Sequence, residues 1–175
     1  MKAITIYQPW ASLIAAGAKR FETRSWATRY RGPIAIHTGK TPVPPDFGFV
    51  TRIPESKIAD ALGIHRPYDT ENDRDFWRRC IDDEFLGAVV ATAELAGCHR
   101  IVRYGGRGMT SRDPGWIEGD DWIYEPTEQE LLFGDWTPGR YAWELTNVKP
   151  LPEPIPAKGK QGLWDFDDGT LKERI

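Results

Sequence analysis

The sequence contains no apolar run of about 18 residues, the length that a membrane-spanning helix requires. The N-terminal residues MKAITIYQPW reach a proline and polar side chains too soon for the apolar region of a secretory signal. We therefore expect a cytoplasmic protein that makes no membrane contact.

Cysteine is scarce, with only Cys80 and Cys98 in the chain. One widely spaced pair does not make a disulfide framework, and no CxxC or HExxH spacing indicates a metal site. We expect both residues to be ordinary thiols, and we expect neither a metal nor a cofactor.

The chain also lacks an excess of positive charge, since its formal net charge is −3. This value argues against a protein that coats DNA through bulk attraction. The charge is unevenly distributed, because residues 1–40 contain seven Lys or Arg side chains and a single acid, Glu22. The N-terminal segment is therefore at +6 and the remainder at −9, which favours a local site for an anionic ligand.

A length of 175 residues without internal repeats predicts one domain, 1–175. Residues 2–7 (KAITIY), 34–38, 87–99 (GAVVATAELAGCH) and 140–148 have strand character, and GKQGLWDF is compatible with a final strand. In the strand after Gly87, Val90, Thr92 and Glu94 should project to one face, and Val89, Ala91, Ala93 and Leu95 to the other. Residues 18–26 are too mixed in polarity to predict a core strand.

Helices are predicted to be few and short. Trp10–Ala16 forms a two-turn helix that Gly17 ends. Two insertions are expected at about 41–86 and 105–139, the first with helical patches PESKIADAL and ENDRDFWRRCIDDEFL, the second with a capped turn at Thr127–Leu132. Prolines from 150 to 156 predict an extended crossing. This pattern favours an α+β fold built on a mixed β-barrel with a helical insertion. We also expect the protein to be a monomer.

One segment carries a recognisable motif, Gly-x-Lys-x-x-Glu-x-Arg, formed by Gly17, Lys19, Glu22 and Arg24. The sequence QPWA precedes it and RGPIAIH follows it. This segment resembles the activating-signal-cointegrator homology (ASCH) domain of the PUA-like superfamily. The resemblance is best over residues 1–40, recurs weakly at 87–98 and 140–166, and implies a PUA-like β-barrel with a cleft suited to single-stranded or flipped-out bases.

The motif side chains suit an anionic ligand. Lys19 and Arg24 can each contact phosphate, and Glu22 can accept from a base amine or hold the two cations in place. Trp10 and Trp26 have faces for stacking, although Trp10 lies on the apolar face of its helix and favours packing. Six further residues are candidates for the rim of the cleft: Gln8, Ser25, Arg31, His37, Thr38 and Lys40. The structural alternative is a surface ion-pair ladder, worth about 0 to 1 kcal/mol per pair.

The resemblance leaves catalysis open. Some small ASCH proteins are amidohydrolases of N4-acetylcytidine that use a lysine, a threonine and a glutamate, and others are described as nucleases. Lys19 matches the lysine, but Glu22 occupies the threonine position and Thr23 is displaced by one. If the protein is an enzyme, Lys19, Glu22 and Glu94 are the candidate catalytic residues.

We therefore expect binding of single-stranded RNA or DNA, including a modified base, with a small amidohydrolase or a nuclease as the alternatives. The expected ligand is a nucleic acid or nucleotide. The Trp-rich acidic stretch 113–136 is a candidate for a protein partner or a lid.

Overall fold

The computed structural model describes residues 1–42, 53–64, 85–103, 114–119, 123–167 and 169. Within these ranges, three short helices accompany eight strands. The helices are α1 (Trp10–Ala15), α2 (Glu55–Ala61) and α3 (Glu128–Leu132). The strands are β1 (Lys2–Ile6), β2 (Phe21–Arg24), β3 (Gly32–Thr38), β4 (Ala88–Val102), β5 (Trp116–Glu118), β6 (Ile123–Tyr124), β7 (Tyr141–Pro156) and β8 (Leu163–Asp165).

The strands form one mixed sheet in the order β2-β7-β4-β3-β1-β8, in which β5 also pairs with β4 and β6 pairs with β5. β1 and β3 are parallel and the other neighbours are antiparallel. The α+β class with short helices is confirmed.

The sheet differs from the expected mixed β-barrel in one respect, because it is not closed in the part of the chain that the structure describes. Closure requires the two edge strands to meet in a common register. Here the edges are β2 and β8, which are short and pair only with residues 141–144 of β7 and residues 2–4 of β1.

The ladder between β4 and β7 joins the two longest strands of the sheet, and it is irregular. Its register shifts between Val89 and Ala91, between Thr92 and Glu94, and between Leu95 and Gly97. These bulges break the simple alternation predicted for β4. Val90 joins Ala91 in the main core cluster, whereas Val89 packs in a separate cluster beside Trp164.

Two segments of the path β2-β7-β4-β3-β1-β8 form strands that their sequences did not indicate. Phe21–Arg24 pairs with β7 although its polarity is mixed. β7 continues to Pro156, where an extended crossing was expected. Proline has no N–H to donate to a ladder. Pro152 and Pro154 lie in a bulge, because β7 advances from Pro150 to Ile155 while its partner strand β4 moves only from Ala91 to Val89.

β5 and β6 were not predicted either, since both lie in the insertion expected at about 105–139, but local signals located the other elements. α1, β3 and β8 lie where the pattern placed them, and Thr127 and Glu130 form the expected capping box of α3. PESKIADAL contains α2. The second predicted helical patch, ENDRDFWRRCIDDEFL, lies outside the described residues apart from its last two.

Candidate functional site

Lys19 is the most deeply buried charged group of the motif, with 3% of its surface exposed. Its ammonium donates to the backbone oxygens of Phe21 at 2.6 Å and Phe133 at 2.5 Å, and lies 3.4 Å from Glu22 Oε2. Burial lowers the pKa of Lys19, and the charge of Glu22 opposes that shift. Lys19 thus joins β2 to the segment that follows α3.

Glu22 lies between the two cations of the motif. It is 8% exposed, with Oε2 directed at Lys19 and Oε1 3.0 Å from Arg24 Nε. Arg24 also donates from Nη2 to the backbone oxygen of Thr5 at 2.9 Å. The three side chains therefore form an internal ion cluster rather than a ladder on the surface.

The turn after α1 places this cluster. Gly17 adopts φ +74°, a left-handed conformation that glycine tolerates without strain, and it ends the helix. The amides of Ala18 and Lys19 both donate to the backbone oxygen of Leu13. The chain thereby reverses beneath α1 and enters β2 with Glu22 beside Lys19.

Two clefts lie on either side of the motif. The Lys19 cleft has a volume of about 380 Å³. It is lined by Trp10, Lys19, Glu22, Thr23, Ile53, Leu131, Leu132, Phe133, Gly134, Asp135 and Arg140. The basic cleft has a volume of about 720 Å³. It is lined by Thr5, Tyr7, Arg24, Trp26, His37, Gly39, Lys40, Thr41, Lys158, Gly159, Lys160, Gln161 and Gly162.

The basic cleft is strongly cationic. Arg24, Lys40, Lys158 and Lys160 line it, and no acidic side chain does so among the described residues. The three lysines are exposed and come from two separate segments, after β3 and after β7. In a protein of net charge −3, this concentration of one sign produces a local positive potential that attracts anions.

The floor of the basic cleft is held by hydrogen bonds to the loop after β7. His37 is 1% exposed, and its Nε2 donates to the backbone oxygen of Ala157 at 3.1 Å, while Thr5 Oγ1 donates to that of Lys160 at 3.1 Å. Gly159 makes this approach possible, because a Cβ there would lie 2.5 Å from His37 Cε1. Burial lowers the pKa of His37, and hydrogen bonds to the backbone of Ala157 and Gly87 oppose that shift.

The structure divides the predicted site residues among three locations. Arg24, Trp26, His37 and Lys40 line the basic cleft, whereas Trp10, Lys19 and Glu22 line the Lys19 cleft. Gln8, Ser25, Arg31, Thr38 and Glu94 line neither cleft.

The residues outside both clefts have other partners or positions. Gln8 bonds Ser12 at the start of α1, and Thr38 bonds the backbone of Phe85 and Ala88. Arg31 bonds the backbone oxygens of Thr28 and Tyr30 and precedes β3, so it lies about 20 Å from His37 along the strand. Ser25 is exposed.

The candidate catalytic set is not assembled at one cleft. Lys19 and Glu22 line the Lys19 cleft, but Glu94 pairs with Pro33 and Thr146 in the sheet. The ammonium of Lys19 is also occupied by two backbone oxygens and Glu22. Thr23 Oγ1 accepts from the amide of Asp135 at 2.9 Å.

Sequence reasoning missed Tyr7, Lys158 and Lys160 at the basic cleft. The available signal was the pair of lysines flanking Gly159 directly after the proline run. The lysine pair could not be assigned to a site from the sequence alone, because its position depends on how the loop after β7 packs against β1 and β3.

Other features of the described residues are few. They contain no cluster of His, Cys, Asp or Glu that could hold a metal ion. Cys98 is a free thiol whose sulfur accepts from the amide of Thr28, and Cys80 lies outside the described part. Trp136, in the stretch expected to meet a partner, is buried against Phe21. Within these ranges no helix has the length and apolar character needed to span a bilayer.

The family model of the ASCH domain matches residues 4–104, more than half of the chain. The chain belongs to the ASCH domain family. Activating signal cointegrator 1 of Mus musculus is 36% identical over 87 residues and that of Homo sapiens 34%, in each case over 49% of this chain and 13% of the relative.

A solved structure, the crystal structure of ASCH from Zymomonas mobilis, is similar at a TM-score of 0.45 and 14% identity. That similarity covers 98% of this chain and 91% of the other. The chain matches only 13% of the length of the two curated relatives.

We predict that Lys19→Ala is severely destabilising, because it leaves Glu22 without one of its cations and two backbone oxygens without their donor. Breaking a buried pair in this way costs about 3 to 5 kcal/mol. Urea unfolding measures the effect, with Lys40→Ala as the matched control, for which a change within about 0.5 kcal/mol is expected at an exposed site. Equal stability of the two variants would contradict the structural role of Lys19.

We predict that His37 makes stability fall in mild acid. Because its pKa is lowered in the folded state, the unfolded state binds the proton more readily. The stability is present in full above the ordinary histidine pKa of about 6.5 and is lost as the pH falls below it. His37→Gln should flatten the free energy of unfolding between about pH 7.5 and 5.5 relative to the parent protein. Parallel curves would show that His37 does not contribute.

Proposed function

We propose that the basic cleft binds single-stranded nucleic acid. The observation that carries this proposal is the set of four cations, Arg24, Lys40, Lys158 and Lys160, around a cleft with no acidic lining among the described residues. Cations that neutralise phosphates release counterions, so such a cleft attracts a polyanion even when the whole protein is acidic.

The contacts of Arg24 suit a phosphate. Its Nε faces Glu22 and one Nη donates to Thr5, so the guanidinium is fixed at the edge of the cleft. Arginine has five N–H donors, and those not used in these two contacts remain for a ligand. A guanidinium held in this way is oriented before the ligand arrives, which lowers the entropy cost of binding.

The cleft also has features that favour single strands. Trp26 lines it beside the cations and is only half-buried, so part of its indole is available to an unstacked base. A volume of about 720 Å³ fits within the usual range for small-ligand pockets, about 300 to 1,000 Å³. Such a space suits a few nucleotides better than it suits a duplex.

The experiment is a fluorescence-anisotropy titration of the full chain with labelled oligo(dT) and oligo(U) of about eight nucleotides, a length within the range of single-strand sites. We expect binding at low salt that weakens as salt rises. The Lys158→Ala/Lys160→Ala double variant should bind more weakly, and its salt slope should be smaller by about 0.7 for each phosphate that the protein no longer neutralises.

The matched control is Lys57→Ala/Lys149→Ala, which removes the same charge from exposed positions outside the cleft. Equal weakening by the two double variants would mean unspecific attraction and would contradict the proposal. Absence of binding by the parent protein at low salt would also contradict it.

A further inference from the structure

We infer that Tyr7 is the base-stacking platform of the basic cleft, an inference that rests on the proposed function. Tyr7 follows β1 directly and lines the cleft. It is 65% exposed, the largest value among the exposed large apolar side chains of the described residues. A single exposed aromatic ring is normal on a protein surface and does not by itself indicate a binding site. The packing that holds the Tyr7 ring is therefore the relevant observation.

Gly39 holds the ring in place. The amide of Gly39 donates to the backbone oxygen of Ile6 at 2.8 Å, which fixes the chain after β3 beside the end of β1. A Cβ at Gly39 would lie 3.0 Å from Cδ1 and 3.3 Å from Cε1 of Tyr7. The ring therefore packs along one side against bare backbone, while most of its surface remains open.

This arrangement differs from that of Trp26. Trp26 lies edge-on to the buried Trp143, with ring centroids 4.6 Å apart and planes at 87°. Part of the Trp26 indole therefore belongs to the core. Tyr7 is the aromatic ring of the cleft with the greater open area and with few side-chain torsions to freeze on binding.

The neighbouring charges complete the site. Lys40 is exposed and follows Gly39 directly, so a phosphate-binding ammonium comes from the residue next to the ring's support. Sites for single strands combine such backbone contacts with aromatic rings on which bases stack. Stacking depends on the base and not on the phosphate, and this property separates Tyr7 from the lysines.

The test compares oligo(dT) with an abasic strand of the same length and backbone charge, each labelled and titrated by fluorescence anisotropy. Tyr7→Ala should raise the Kd for oligo(dT) about 5- to 150-fold, the range that base–aromatic stacking gives. It should leave the Kd for the abasic strand unchanged, and Tyr7→Phe should bind both strands like the parent.

Gly39→Ala provides a second, independent variant. The added methyl group should displace the ring and weaken oligo(dT) binding, but it should have no further effect when Tyr7 is already alanine. Additive effects of the two substitutions would contradict the role of Gly39 as the support of the ring. Thermal unfolding of each variant verifies that the fold is retained.

The outcomes separate this inference from the proposed function. If Tyr7→Ala binds oligo(dT) like the parent while Lys158→Ala/Lys160→Ala binds weakly, bases do not stack on Tyr7, and nucleic-acid binding by the basic cleft is still supported. If Tyr7→Ala weakens both strands equally, the ring shapes the cleft and does not stack on bases, which also overturns the inference. If the parent protein binds neither strand, the proposed function fails and the inference fails with it.

Discussion

The buried ammonium of Lys19 is the interaction on which the site depends. A charge removed from water must be paired and hydrogen-bonded, and here the backbone oxygens of Phe21 and Phe133 together with Glu22 meet that requirement. These partners come from β2 and from the segment after α3. One side chain therefore fixes the position of β2 against a distant part of the chain, and with it the position of Arg24.

Because of this constraint, the residues of the ASCH motif differ in their roles. Lys19 and Glu22 are largely buried. The second carboxylate oxygen of Glu22 contacts the guanidinium of Arg24 and orients it. Arg24 then faces the basic cleft, where three exposed lysines surround it. The residues that identify the family are thus mainly those that build the site, while the residues proposed to meet the ligand lie beside them.

Much of this could be read from local sequence signals. The apolar run of β1, Gly17 after α1 and the Thr127 capping box each act within a few residues, and each element lies where it was predicted. β2 could not be predicted, because its polar residues are tolerated only through Lys19 and the pairing with β7. The extent of β7 depends on bulges in its ladder with β4, which result from long-range pairing. Arg24 and Lys40 were found from the motif region. Lys158 and Lys160 required the loop after β7 to be placed in space, and Tyr7 required the contact between its ring and Gly39.

The proposed function requires that a ligand enters the basic cleft and not the Lys19 cleft. Backbone and indole NMR resonances of the labelled protein, followed during titration with oligo(dT), distinguish the two directly. Binding in the basic cleft should shift the amides of Gly39, Lys160 and Gly162 and the indole of Trp26, with Trp10 and Gly134 unchanged. Shifts confined to Trp10, Gly134 and Asp135 would place the ligand in the Lys19 cleft and would overturn the proposed role of the basic cleft.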